Sequence, residues 1–221
     1  MEKFDLLLKV LSDLQSAGIL RHIMLVGSWC QNFYRHIYGN PVEIPAARTL
    51  DADLLIPKRL PAGAQGNITA IMEKNDFAVE IDMPSGLYKF THQQLNVEFL
   101  TDPGPKPDEV VHRFKQLGVT AQELRYMSIP LSYKLPITYN DLSLIIPEPE
   151  AFTLHKLIVS CLRKNQEKAQ KDTETAQGML LFFEGKAHHV KRINEINNSF
   201  PKGWKQRVND GLKQAKMSLP K

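Results

Sequence analysis

The runs Met24-Leu25-Val26-Gly27-Ser28-Trp29 and Arg48-Thr49-Leu50-Asp51-Ala52-Asp53-Leu54-Leu55-Ile56 decide the reading of this chain. The first reads as a strand followed by a tight turn that opens a helix, the second as a strand bearing two carboxylates. Successive side chains of an extended strand point to opposite faces, so Asp51 and Asp53 share one face while Leu50, Ala52 and Leu54 pack on the other. Like charges that close raise one another's pKa, and a hard divalent cation that prefers carboxylate oxygens relieves them. Magnesium, or manganese, is the expected ion. Backbone N–H groups at the start of a helix are unsatisfied and attract phosphate, so the Gly27-Ser28 turn adds a phosphate-binding element. Metal and phosphate together point to a nucleotide. Taken singly, a Gly-Ser turn is more often a simple N-cap, and an Asp-x-Asp a solvated strand end. Their combination, with the carboxylates set among Leu54, Leu55 and Ile56, carries the inference.

These residues resemble a family. Gly27-Ser28 followed by Thr49-x-Asp51-x-Asp53 is similar to the nucleotidyltransferase superfamily of DNA polymerase beta, the tRNA CCA-adding enzymes and small bacterial nucleotidyltransferases. The fuller string Arg48-Thr49-Leu50-Asp51-Ala52-Asp53 is closer to the bacterial abortive-infection-type enzymes, some of them toxins of toxin-antitoxin pairs. The resemblance implies that Gly27, Ser28, Arg48 and Thr49 serve the nucleotide and that Asp51 and Asp53 bind the metal ions. It also implies a third carboxylate on a neighbouring strand. Residues 86–90 and 95–100 read as a hairpin joined across His92, Gln93 and Gln94, with Val97 and Phe99 inward and Asn96 and Glu98 on the opposite face. Glu98 is the expected third ligand, and Asp82 its rival; an ordinary exposed strand glutamate is the plainer reading. The chemistry implied is two-metal phosphoryl transfer from an NTP to a hydroxyl acceptor.

Composition sets outer limits. The 221 residues suffice for one sizeable core or two modest ones. No apolar run is long enough to span a bilayer, and the N-terminus reads as an amphipathic helix rather than a signal peptide, so a cytoplasmic enzyme with no membrane partner is expected. Two cysteines, Cys30 and Cys161, on separate helices read as buried apolar residues of a reduced compartment. Scattered histidines offer no zinc spacing, and neither a nucleophile elbow nor a P-loop is present. Net charge is +4, but residues 1–150 carry 14 basic against 18 acidic side chains, and residues 151–221 carry 14 against 6. An acidic half that attracts metal and a basic helical half that attracts phosphate suit an NTP and an RNA acceptor. The plainer reading is a lysine-rich solvated surface, since no aromatic side chains interleave with the charges.

The expected fold is α/β, strictly α+β: a mixed sheet flanked by helices over residues 1–146, and a helical C-terminal domain over 147–221. Helices are expected at 4–16, 28–38, 68–75 and 108–117, and strands at 23–26, 49–56, 77–81, 86–90, 95–100 and 142–146. After Pro149 an apolar stripe of Phe152, Leu154, Leu157, Ile158, Cys161 and Leu162 marks a helix whose polar face carries Lys156 and Arg163, seven residues apart. By resemblance to the abortive-infection-type enzymes these two hold the nucleotide, and Lys168, Lys171 and Asp172 fall near the family's following Lys-Asp positions. The plainer alternative pairs Arg163 with Glu167. Two rival functions stand beside the enzyme reading: an inactive, antitoxin-like binding protein that keeps the fold, and transfer to a small molecule, which favours an acidic acceptor pocket.

Overall fold

The computed structural model describes residues 2–47, 49–103 and 111–221. In chain order the elements are α1 (Lys3–Ser16), β1 (Met24–Val26), α2 (Cys30–Ile37), β2 (Asp51–Leu55), α3 (Ile68–Lys74), β3 (Ala78–Asp82), β4 (Leu87–Thr91), β5 (Asn96–Thr101), β6 (Val111–Phe114), β7 (Val119–Glu123), α4 (Ser128–Ser132), β8 (Lys134–Tyr139), β9 (Leu142–Pro147), α5 (Pro149–Ser160), α6 (Gln166–Phe183), α7 (Ala187–Ser199) and α8 (Lys202–Ala215). They form two compact units. One comprises residues 1–30 and 47–147, the other 31–46 and 148–221.

The first unit is built on a mixed seven-stranded sheet in the order β1-β2-β5-β4-β3, with β7 also on β5 and β6 on β7. β2 and β7 run parallel to β5, and the remaining pairs are antiparallel. Parallel neighbours need a long crossover, which the stretch from α3 through β4 provides. Ala52, Leu54, Phe90, Val97 and Phe99 are buried, as the strand alternation requires, and Phe90 meets Phe99 edge-on at 5.7 Å. α1 buries Leu6, Leu7, Val10, Leu11 and Leu14 and packs on α3 and β9; its Asp13 accepts from Lys74 and Asn75. The hairpin β8-β9 forms a separate two-stranded sheet.

Three expectations change. Residues 111–117 are not helical: Val111 to Phe114 pair with β7 and a short 3₁₀ turn follows, closed by Gly118 at φ 63°. Residues 108–110 lie outside the described residues. The strands β7 and β8 come as additions. Cys161 is only half-buried, whereas Cys30 is buried and its thiol donates to the Leu25 carbonyl.

The second unit consists of α2 beyond Cys30, the loop to Ala46, and α5 to α8. Gln31 and Tyr34 are buried here, through a hydrogen bond from Gln31 to Thr175 and an edge contact with Phe152 at 5.4 Å. Glu148 receives two hydrogen bonds from Arg192, at 2.6 and 2.8 Å. Buried His189 contacts Glu150 at 2.5 Å inside a ring of Tyr38, Phe182 and Phe183. Burial, then the charges of Glu150 and Glu148, push the Tyr38 hydroxyl up to about 12. Among the described residues no helix is long and apolar enough to cross a membrane.

Helix α8 lies so close to α5 that a Cβ at Gly211 would fall 2.3 Å from the Leu157 carbonyl oxygen. That oxygen is backbone and cannot rotate away, so Gly211→Ala is expected to destabilise the protein by about 1–3 kcal/mol, as overpacking does. Chemical denaturation of both proteins measures it; equal midpoints would contradict the close approach.

Candidate active site

β1 ends at Val26, and Gly27 after it takes φ 73°. Val26 pairs with Asp53 across the antiparallel β1-β2 ladder, and the Asp53 carboxylate folds over the turn. A Cβ at residue 27 would fall 2.1 Å from Asp53 Oδ2 and 3.1 Å from Cγ. The positive φ favours glycine, and a side chain at this position would displace the Asp53 carboxylate. Ser28 is half-buried in the same turn, and α2 starts at Cys30, whose amide reaches the Gly27 carbonyl at 3.3 Å. Trp29 is buried, stacks on Phe4 at 5.9 Å, and keeps its indole Nε1 without a hydrogen-bond partner among the described residues.

β2 alternates as the sequence suggests, with Asp51 and Asp53 half-buried and Ala52 and Leu54 fully buried. In the parallel pairing with β5, Asp51 stands opposite Asn96 and Asp53 opposite Glu98. Asn96 Nδ2 donates to Asp51 Oδ1 at 3.1 Å, which orients the carboxylate, and the Asp51 amide donates to Thr49 Oγ1 at 3.1 Å, which fixes the start of the strand. Asp82 sits on β3 at the sheet's edge, exposed, with its carboxylate accepting from the Ser85 amide and hydroxyl. Of the two rivals, Glu98 is the neighbour of Asp53. One step further along the same face, Leu55 and Leu100 join Met24, Val26 and Met127 in a small apolar cluster. The carboxylates thus border a water-poor patch, a setting that strengthens charge interactions.

The first unit therefore brings together Gly27, Ser28, Thr49, Asp51, Asp53 and Glu98. Arg48 lies outside the described residues. Among the described residues no three His, Cys, Asp or Glu side chains are gathered closely enough to hold a metal ion. The donors suit a hard cation in kind and share a face, but they are not drawn in around a common point.

Lys156 and Arg163 belong to the second unit, and both reach the same partner. Lys156 Nζ donates to Asp172 Oδ1 at 2.5 Å and Arg163 Nε to Oδ2 at 3.0 Å. Arg163 lies beyond the end of α5, not two turns along it, and its partner is Asp172 rather than Glu167. Lys156 and Asp172 are buried, while the Arg163 side chain is 42% exposed. Burial pushes the Asp172 carboxyl up, but Lys156 and Arg163 outweigh it and hold it below the usual range. The neighbouring His155 is a residue that sequence reasoning does not single out. Burial first, and Lys156 second, lower it to about 4, so it is neutral at pH 7, with Nε2 unpartnered among the described residues. A histidine inside an apolar stripe gives no sequence signal of this.

The nucleotidyltransferase family matches residues 6–191, and the chain belongs to that family. No curated protein sequence matches it. Among solved structures it resembles an antigenic nucleotidyltransferase-like protein from Paracoccidioides brasiliensis, at 14% identity over 91% of this chain and 89% of that one, with a TM-score of 0.48. It also resembles the antibiotic-resistance factor ANT(2'')-Ia, at 13% identity over 88% and 90% of the two chains, also with a TM-score of 0.48.

The second unit makes a pH prediction. The folded pKa of His155 lies below its unfolded 6.5, so its contribution is intact above pH 6.5 and lost as pH falls towards 4. The loss is about 3 kcal/mol. Asp172, also depressed, loses its contribution only below its ordinary 3.8. Melting of the wild type should therefore fall between pH 6.5 and 4, and His155→Leu should flatten that window while leaving the drop below it. An unflattened window would remove His155 as its cause.

Proposed function

We propose that the chain transfers a nucleoside monophosphate from an NTP to a hydroxyl acceptor at the Gly27, Asp51, Asp53 and Glu98 face. The observation that carries this reading is the Asp53 carboxylate packed over the Gly27 turn, with Glu98 beside it and Asp51 on the same face. It joins a phosphate-seeking helix start to a row of acidic oxygens. Asp51, Asp53 and Glu98 would hold magnesium or manganese, which supplies Lewis acidity and screens the triphosphate. The three carboxylates must draw together to do so, and Asp51 is already oriented by Asn96.

In the step itself the acceptor oxygen attacks the α-phosphorus, a new P–O bond forms, and the bond to pyrophosphate breaks. The acceptor's proton passes to a carboxylate of the row or to water. Gly27 and Ser28 meet the phosphates with backbone N–H groups, and the apolar cluster around Leu55 and Leu100 keeps water from one side. Arg163, half-exposed and bound through Nε to Asp172, keeps guanidinium N–H groups for an anion. Lys156 positions it through the shared carboxylate and does not itself offer a charge. The string Arg48 to Asp53 supports a kinship with the abortive-infection-type enzymes, and RNA is the acceptor we favour.

Asp53→Asn tests the reading. It removes one of several like charges, so the melting temperature should hold or rise, while calorimetric binding of Mg-NTP should disappear. Gly27→Ala should lose the same binding by displacing the Asp53 carboxylate. Wild-type binding of Mg-NTP by Asp53→Asn would overturn the assignment.

A further inference from the structure

On one edge of β5 two strands share the pairing: β4 takes Asn96 and Val97, and β7 takes Leu100 and Thr101. Between them the sheet forks. Thr120 stitches the fork, its hydroxyl accepting from the Tyr88 amide at 2.7 Å and donating to the Gly86 carbonyl at 3.1 Å. A cavity of about 370 Å³ opens there, lined by Tyr88, Arg113, Lys115, Gly118, Val119 and Thr120. This volume falls at the lower end of small-molecule sites.

Among the described residues no carboxylate lines the cavity. Among the described residues, the exposed side chains of Arg113 and Lys115 make no ion pair or hydrogen bond, and the Tyr88 hydroxyl has no partner either. Three sets of unspent donors therefore line one hollow, a guanidinium fork, an ammonium and a phenol. Other cations of the protein do meet carboxylates, as Lys58 meets Glu123 and Arg192 meets Glu148. Unmatched cations around a cavity select an anion, and the guanidinium fork fits the edge of a phosphate.

The fork also has a defined place relative to the carboxylates. In the parallel pairing Leu100 stands opposite Gln122, so Glu98 and Thr120, each two residues earlier, share a face; Arg113 pairs with Thr120. Where β7 is paired with β5, at Leu100 and Thr101, three strand spacings of about 4.8 Å, about 14 Å, separate β2 from β6; at the row of Glu98 and Thr120 that pairing has ended. We propose that the fork is a second phosphate site, which takes a phosphate group carried by the acceptor while the acceptor's hydroxyl lies at Asp53 and Glu98. The proposal rests on the transfer reading for the acceptor's role, but the pocket's affinity for phosphate does not.

The test uses the full chain. Inorganic phosphate titrated into ¹⁵N-labelled protein should shift the amides of Gly118, Val119 and Thr120, and Arg113→Gln with Lys115→Gln should abolish those shifts without lowering the melting temperature. A fluorescent single-stranded ribonucleotide octamer should bind the double variant about tenfold more weakly than wild type. Its log-log salt slope should also be shallower by about 0.7 for each phosphate that the variant no longer neutralises. Shifts by inorganic phosphate with unchanged octamer binding would identify the phosphate's source as a small phosphorylated acceptor. Absent shifts, or shifts that persist in the double variant, would overturn the site. Asp53→Asn should keep the phosphate shifts, so loss of the transfer reading would leave the pocket standing.

Discussion

The contact on which the site depends is the Asp53 carboxylate laid over the Gly27 backbone. It needs a glycine with φ 73° at the end of β1, an antiparallel β1-β2 ladder that brings Val26 opposite Asp53, and a parallel β2-β5 ladder that puts Glu98 on the other side. A register slip of one residue in either ladder would turn the acidic row to the apolar face. The core residues Ala52, Leu54, Val97 and Phe99 forbid the slip, because each would then be exposed. The packing that stabilises the sheet thus also fixes the geometry of the carboxylates.

The alternating stretches are legible in the sequence. Asp51, Asp53 and Glu98 lie on one face because period-two burial leaves no other arrangement. Val111 to Phe114 mislead because a short amphipathic run after a proline-rich break fits a helix as well as a strand; its partner β7, not its own sequence, decides the outcome. β8 escapes notice although Asn140-Asp141 sits between two alternating runs, a hairpin signal, because Pro136 reads against a strand. The fork at Thr120 is out of reach, since it arises from β5 changing partners, which no local pattern records.

Charge counting is a poor guide to the helical half. Its excess of basic residues suggests a face for phosphate, but Arg192 is bound to Glu148 and Lys156 to Asp172. A buried cation such as Lys156 is committed to its carboxylate because an unpaired charge in a low-dielectric interior is too costly. The sheet-bearing unit, acidic in total, holds the unmatched pair Arg113 and Lys115. Local pairing, not the sum over a segment, decides where an anion can be recognised.

The second unit draws residues 31–46 from one part of the chain and 148–221 from another, with about a hundred residues of the first unit between them. During synthesis, α2 therefore emerges long before the helices that bury Gln31 and Tyr34 exist. The sheet-bearing unit receives its last strand by Pro147, whereas the helical one must wait for the C-terminal helices and hold the Phe33 and Tyr34 face of α2 exposed meanwhile. Nascent chains stalled before α5 should be the most aggregation-prone stage of the protein's life, and a fragment starting at Glu148 would lack a wall of its own core.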